Sequence, residues 1–545
     1  MKTLAILTNG GDSCALNASI RSMRDSAYEA GYKKIYGIRR GYQGLLDGWI
    51  DDITGREIDV RIGGSCLGSM RTSPTRVSRG GSSAEKQYEI DEDVCLTMAC
   101  CLSDFKIDVL VVVGGDGTLQ STKMFQTWVQ ENKNSKQFRP FEIMGFLKTI
   151  DNDIRTFTSF EGVEMALCPG YPSAVRKIID SVEALRVTAR TAERAFAIEI
   201  MGRDAGWLAA AATFGGAEIL LVPEHPKYYE DHVIENIDSE DKKKVASETL
   251  MQDLASEIAY FYGKNRNVLI AVGEGFEPRV GIMAQQEFVR VLKDLYGPRK
   301  KAGATELLTM LVAPYLDCYF RCQSRFASGE HRQNCIRQRL SATIEQEELK
   351  VDTKDQKRHP LQGWDIKQEL LKIIKRDNPN VDLTELERDV AKGPETSAKA
   401  GGTAKKKEGS RESTVTMSSF GGPPYKFEIR PHRTDYLPRS GQPSSYDFRF
   451  ATVLGKKLGQ MLLDREFGFV PALDKVVPYE DLTLDRIKVV SIDEIKTLGF
   501  SSPDYFKKSA HFQVSERITQ FLRTITSGPD SLEEAIHQYT RDGFS

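Results

Sequence analysis

The sequence predicts an α/β fold: two Rossmann-like, doubly wound domains with a cleft between them, plus a mainly helical insertion. Three observations carry this. Short, continuously apolar runs alternate with helix-length amphipathic stretches, the rhythm of a parallel sheet covered on both faces. The alternation comes in two blocks, and 545 residues are enough for two or more buried cores. Several of the runs end in glycine-rich or polar turns, where open sheets of this kind bind ligands.

In the first block, "TLAILT" (3–8), "KIYGIRR" (34–40), "DVLVVVGG" (108–115) and "FEIMGF" (141–146) read as strands, each too continuous for a one-sided surface strand. Helices are expected near 15–31, 86–103 and 118–131. The second block has strands "AFAIEIMG" (195–202), "EILLVP" (218–223) and "NVLIAVGEG" (267–275), with helices near 171–186, 205–213 and 243–262. This divides the chain into a first α/β domain (1–155) and a second α/β domain (156–275). A helical insertion (276–390), a flexible linker (391–424) and a C-terminal segment completing the α/β domains (425–545) follow. The linker is rich in Gly, Ser, Thr, Lys and Pro and nearly free of large apolar groups.

A formal charge of -2 gives no hint of nucleic acid or an anionic membrane as the main partner, and neither is expected. No window approaches the roughly 18 apolar residues of a membrane span. The opening residues read as a buried strand, not a signal peptide, and nine scattered cysteines suit a reducing cytoplasm. Cys318, Cys322, His331 and Cys335 are zinc-type ligands, but their spacing fits no zinc module and they are read as reduced structural cysteines.

The chemistry lies in the turns. In "VLVVVGGDGTLQST" a buried strand ends in Gly114 and Gly115, and Asp116, Gly117 and Thr118 open a helix. Glycines admit a bulky anion close to the backbone, and the helix start points free amides at it. Asp116 beside such a phosphate suits Mg2+. "LTNGGDS" repeats the design with Gly10, Gly11 and Asp12, which suggests a polyphosphate lying across adjacent strand ends. No P-loop motif occurs.

In "GFLKTIDND", Lys148, Thr149, Asp151 and Asp153 follow a buried strand. A carboxylate within reach of an alcohol suffices as the base for phosphoryl transfer, because the transition state is loose and positioning does most of the work. Asp151 and Asp153, two apart, can face different ways, one toward substrate and one toward a metal. Arg71 and Arg76 follow another glycine loop, and arginine suits phosphate through its planar fork.

Together "GGDGT", "KTIDND", "GGSCLGSMRTSPTR", "AFAIEIMGRDAGWLA" and "LVPE" resemble the phosphofructokinase family, in the family's order, over about 1–275 and more loosely 426–480. The resemblance implies that Asp151 takes the proton from the 1-hydroxyl of fructose 6-phosphate. Thr149 and Arg71 would steady the transferred group, and Asp116 and Asp153 would serve Mg2+. Gly11, Tyr42, Arg71, Thr72, Lys148 and the turn Gly115, Asp116, Gly117, Thr118 would line the donor site. Thr149, Ile150, Asp151, Met201, Gly202, Arg203 and Glu224 would hold the sugar phosphate, with Arg194, Arg430, Tyr436 and Arg439. Some of these arginines come from a neighbouring subunit in the family, which implies a homo-oligomer, dimer or tetramer, with shared sites. The chain departs from the family at Cys14–Ala15 in the first loop and at Leu147, where proline is usual.

Two positions bear on the donor. Gly117 leaves room for the α-phosphate and nucleoside of ATP, where the pyrophosphate branch typically has aspartate. Lys148 and Tyr436 are residues of pyrophosphate users, but a lysine binds phosphate oxygens of either donor. ATP is therefore the expected donor and pyrophosphate the alternative. A non-catalytic, regulatory sugar-phosphate-binding subunit is a reading of another class, against which Asp151 and Asp116 stand. The "MGR" strand and "TIDND" separate the chain from lipid and dinucleotide kinases that share "GGDGT".

Overall fold

The computed structural model describes residues 2–79, 86–202, 205–224, 254–276, 415–416, 428–507 and 510–541. Strand β1 (Lys2–Thr8), buried after its first residue, is the centre of the first sheet. It pairs in parallel with β2 (Tyr32–Ile38) on one side and β6 (Val109–Gly114) on the other. β7 (Glu142–Leu147) continues the sheet in parallel, and the short β3 (Ile50–Asp52) closes the other edge antiparallel. All six residues of β6 are buried, as a strand covered on both faces requires.

Register decides where the turns go. Thr8 pairs with Val113, and Gly114 with Leu147. The turns after β1, β6 and β7 therefore leave the same edge side by side. Helices α1 (Leu16–Glu29), α2 (Tyr42–Asp47), α3 (Glu92–Asp104) and α4 (Asp116–Glu131) connect the strands.

Helix α5 (Tyr171–Thr191) leads into the second sheet, centred on β11 (Ala195–Ile200). β13 (Val268–Gly273) and β15 (Glu428–Arg433) flank it in parallel, β12 (Ile219–Leu221) extends the β13 side, and β14 (Val415–Thr416) pairs antiparallel with β15. Helices α6 (Trp207–Phe214) and α7 (254–265) complete this layer. The chain then returns to the first sheet. Helix α8 (Ser445–Asp464) lies on α1, where a Cβ at Gly455 or Gly459 would collide with Ser22 and Ser26. β16 (Phe469–Leu473) packs beside β7, with the Gly468 amide donating to Ile143 at 2.8 Å.

Two expectations are corrected. The helix predicted over 86–103 is a strand over its first residues, β5 (Lys86–Ile90), hairpin-paired with β4 (Thr75–Arg79); α3 starts only at Glu92, capped by Asp91. Within 391–424, read as a linker, Val415–Thr416 forms the sheet-edge strand β14. The zinc-type set Cys318, Cys322, His331 and Cys335 and the helices expected over 277–390 lie outside the described residues.

Candidate active site

Three turns meet at the carboxyl edge of the first sheet. The first begins at Asn9, and Gly10 has φ +88°, a region that favours glycine. It is tied to the loop 63–72: the Gly10 amide donates to Met70 at 2.7 Å, Ser69 Oγ to the Gly10 carbonyl at 2.7 Å, and Asn9 Nδ2 to Thr72 at 3.1 Å. Arg71 is thereby held exposed beside the glycines. Arg76, also exposed, instead pairs with Asp91 at 2.6 Å.

The second turn follows β6. A Cβ at Gly114 would overlap Thr118, so the glycine lets α4 begin at once. No side chain caps α4, and its Asp116 stands in the first turn. Such a helix start leaves amides for an anion. A Cβ at Gly117 would meet nothing nearer than the Tyr88 hydroxyl at 4.0 Å. The protein itself therefore leaves the space open.

The third turn follows β7. The Lys148 amide donates to Gly114 at 2.9 Å, and the Thr149 Oγ1 lies 3.9 Å from the Cβ position of Gly115. Thr149 Oγ1 also accepts from the Asp151 amide at 3.0 Å. Between the two aspartates, Asn152 (φ +55°) is wholly buried and clamps the turn, donating to Ala166 at 2.7 Å and accepting from Cys168 at 3.0 Å. The aspartates accordingly act in different places: the Asp151 charge acts on Lys148, and the Asp153 charge on Cys168.

Lys148 is 3% exposed and its Nζ donates to the Gly11 carbonyl. Burial, aided by Arg439 and Arg71 and opposed by Asp12 and Asp151, lowers its pKa to about 8. Those four charged groups therefore lie within electrostatic reach of it. Arg439 comes from far along the same chain. Its Nη1 donates to the Asp12 carbonyl at 3.3 Å and lies 3.9 Å from the Asp12 carboxylate, against Gly11, where any Cβ would collide. Gly11, Arg71, Lys148, Asp151 and Arg439 are thus brought together.

Among the described residues no cluster of three or more His, Cys, Asp or Glu side chains could hold a metal. Mg2+ needs none, since it keeps waters and takes one or two carboxylates plus phosphate oxygens. Half-buried Asp116, at a helix start beside Thr149, fits that donor set.

The residues expected to hold the sugar phosphate distribute differently. Gly202 has φ +127° and any Cβ would meet the Ala205 carbonyl at 2.6 Å; Met201 beside it is half-buried, and Arg203 lies outside the described residues. Glu224 is 6% exposed, accepting from the Gly206 amide at 3.0 and 3.1 Å and from the Phe500 amide at 2.9 Å, so it anchors the start of α6. Arg194 precedes β11, and Arg430 pairs with Phe196 near the start of β15. Both are at the end of the second sheet opposite Met201, across a six-residue strand, roughly 20 Å. Tyr436 is 74% exposed.

Two site expectations change. The Tyr42 ring is wholly buried, with its hydroxyl 2.9 Å from Thr122 Oγ1, because α2 packs against α3 and α4; only the Tyr42 amide, donating to Asn9 Oδ1 at 3.4 Å, reaches the first turn. The Ile150 side chain is 1% exposed in the core, so only its main chain faces the turn. Two neighbours carry no local signal: Tyr88 lies on a strand whose sequence reads as helix, and the Arg439–Asp12 contact joins residues 427 positions apart.

The family model described as Phosphofructokinase matches residues 3–296. An ATP-dependent 6-phosphofructokinase of Oceanobacillus iheyensis is 34% identical over 257 residues, 46% of this chain and 70% of the relative. One of Persephonella marina is 32% identical over 322 residues, 54% of this chain and 88% of the relative. A pyrophosphate-dependent phosphofructokinase of Nitrosospira multiformis superposes with a TM-score of 0.55 at 14% identity, covering 97% of this chain and 93% of that one, a likeness of fold. No described helix is long and apolar enough to cross a membrane. With the family model matched over more than half of the sequence, the chain belongs to the phosphofructokinase family.

Proposed function

We propose that this chain is an ATP-dependent 6-phosphofructokinase, transferring the terminal phosphoryl group of ATP to the 1-hydroxyl of fructose 6-phosphate to give fructose 1,6-bisphosphate. The observation that carries the reading is the convergence of Asp151, Lys148, Arg71 and Arg439 on the glycine turn at Gly11, with Thr149 beside Gly115. Two carboxylates, Asp151 and Asp12, share with three cations the edge where three turns meet. That arrangement suits an alcohol and a polyphosphate brought together.

Asp151 accepts the hydroxyl proton as the new O–P bond forms and the bond to the bridging oxygen of the donor breaks. Its amide is fixed on Thr149 Oγ1, which sets the reach of the carboxylate. Lys148 and Arg71 offset the charge on the donor oxygens. Asp116, with Asp153, would hold Mg2+, which supplies further charge neutralisation on the phosphates when bound. Glu224 acts on the sugar through the α6 start that it anchors.

ATP is favoured as donor by the open space at Gly117 and by the names of the relatives above 30% identity. Pyrophosphate is the second reading, favoured by Lys148 standing over Gly11. Arg194 and Arg430 lie too far from Met201 within one chain, which supports the reading of a cytoplasmic homo-oligomer whose sugar-phosphate site is completed by a second subunit. Purified protein supplied with fructose 6-phosphate, Mg2+ and either ATP or pyrophosphate decides the matter. Product with ATP supports the reading, product with pyrophosphate alone transfers it to the second donor, and turnover with neither overturns both.

A further inference from the structure

A buried carboxylate that the reaction chemistry does not use lies one layer behind the catalytic turn. Asp447, in the first turn of α8, is wholly buried. Its oxygens accept from the Gly170 amide at 2.9 and 3.1 Å, from the Ser173 amide at 3.3 Å and from Ser173 Oγ. Gly170 is the residue before α5 and has no side chain to cap that helix, so Asp447 caps it from another helix. Ser173 answers by accepting the Ser444 amide at 3.0 Å. Two helix starts are thus locked face to face around one negative charge, an arrangement both dipoles favour.

Gly170 is also a junction. It is bridged to Thr149 as a parallel strand contact, with the Thr149 amide donating to Pro169 at 3.2 Å. Its φ is +102°, and a Cβ there would run into Ser13 of the first turn and approach the Thr149 carbonyl at 3.5 Å. On the other side of Asp447 the chain runs back through Ser440, whose carbonyl accepts from Cys14 Sγ at 3.1 Å, to Arg439 on Gly11. Asp447 therefore connects α8 to the donor loop, to the catalytic turn and to an arginine of the site.

We propose that Asp447 is a positioning residue for phosphoryl transfer, holding Gly170 and through it the strand contact that seats Thr149 and Asp151. The inference rests on the activity proposed above. Burial raises the Asp447 pKa to about 6, while the hydrogen bonds donated by Gly170 and Ser173 favour the ionised carboxylate. A carboxylate retained in a wholly buried position is unfavourable unless its hydrogen bonds do something that an apolar residue cannot.

The test uses the full chain with Asp447→Asn and Ser173→Ala, neither of which touches substrate. Displacing reacting groups by about an ångström costs on the order of a hundredfold. The expected result is a kcat lowered roughly ten- to a hundredfold in Asp447→Asn and about threefold or more in Ser173→Ala. KM for both substrates stays within about threefold, since neither change removes a binding group. Amide hydrogen exchange over 148–152 quickens in both variants. An unchanged kcat in folded variants, a lowered kcat without faster exchange over 148–152, or an effect confined to KM would each overturn the inference. Should Asp447→Asn not fold, Ser173→Ala alone decides by the same criteria. A wild-type chain inactive with either donor would instead overturn the proposed activity itself.

Discussion

Lys148 gives the sharpest quantitative expectation. Its pKa is lowered from 10.5 to about 8, chiefly by burial and next by Arg439. The difference corresponds to roughly 3 kcal/mol between the charged and neutral forms. Because the folded value lies below the unfolded one, the folded chain binds fewer protons between about pH 8 and 10.5. Stability gains from the group across that window as pH rises, and below about pH 8 the charged lysine costs the fold about 3 kcal/mol. Asp12 and Asp151 offset part of this cost in the free protein, and a bound phosphate would offset more. At pH 7 roughly nine-tenths of the free protein then carries Lys148 charged, and at pH 9 about one-tenth. The kcat/KM for the phosphoryl donor is expected to fall about tenfold per pH unit above pH 8. Cys14 beside the turn does not share this window, since burial pushes its thiol up to about 12. In Lys148→Met the alkaline limb disappears, kcat/KM at pH 7 is lower by about ten- to a hundredfold, and the thermal midpoint at pH 7 rises. A wild-type limb centred above pH 10, or the same limb persisting in Lys148→Met, would refute the reasoning.

Three further outcomes are expected. Asp151→Asn should lower kcat by about a hundred- to ten-thousandfold while sugar-phosphate binding, read by calorimetry, stays intact; near-normal turnover would remove it as the base. Gly117→Asp adds a charge where the structure leaves room, and at about 5 Å and an effective dielectric near 20 the repulsion reaches roughly 3 kcal/mol. ATP should then lose affinity by up to about a hundredfold, and a KM for ATP that does not move would show that Gly117 does not face the donor. Arg194→Ala and Asp151→Asn, each nearly inactive alone, should recover about a quarter of wild-type activity when unfolded and refolded together, since a mixed dimer has one intact shared site. No recovery in a mixture containing mixed dimers would place Arg194 outside the partner's site.

The turn 145–153 illustrates how the legible and the illegible divide. Its apolar lead predicts a buried strand, and β7 ends at Leu147, one residue past the expected run, so the position of Lys148, Thr149 and Asp151 at a sheet edge could be read from local pattern. The same holds for the glycine turns after β1 and β6. The hairpin Thr75–Arg79 and Lys86–Ile90 could not be read so, because "KQYEI" runs without a marked boundary into a helix capped only at Asp91. Tyr42 belongs to the same class: its residue type fits a ligand wall, but the packing of α2 on α3 and α4 buries it.

The sequence by itself determined the α/β class, most strands and helices of both sheets, and the residue types of the donor and catalytic turns. Those properties follow from periodicity and from glycine and aspartate at fixed offsets, which act over a few residues. Only the tertiary structure decided which charges share a space. Arg439 reaches Asp12 from 427 positions away, Asp447 caps a helix 274 to 277 positions before it, and Arg194 and Arg430 fall at the end of β11 opposite Met201. Such contacts depend on sheet register and on helices crossing between layers, and neither leaves a mark on local sequence.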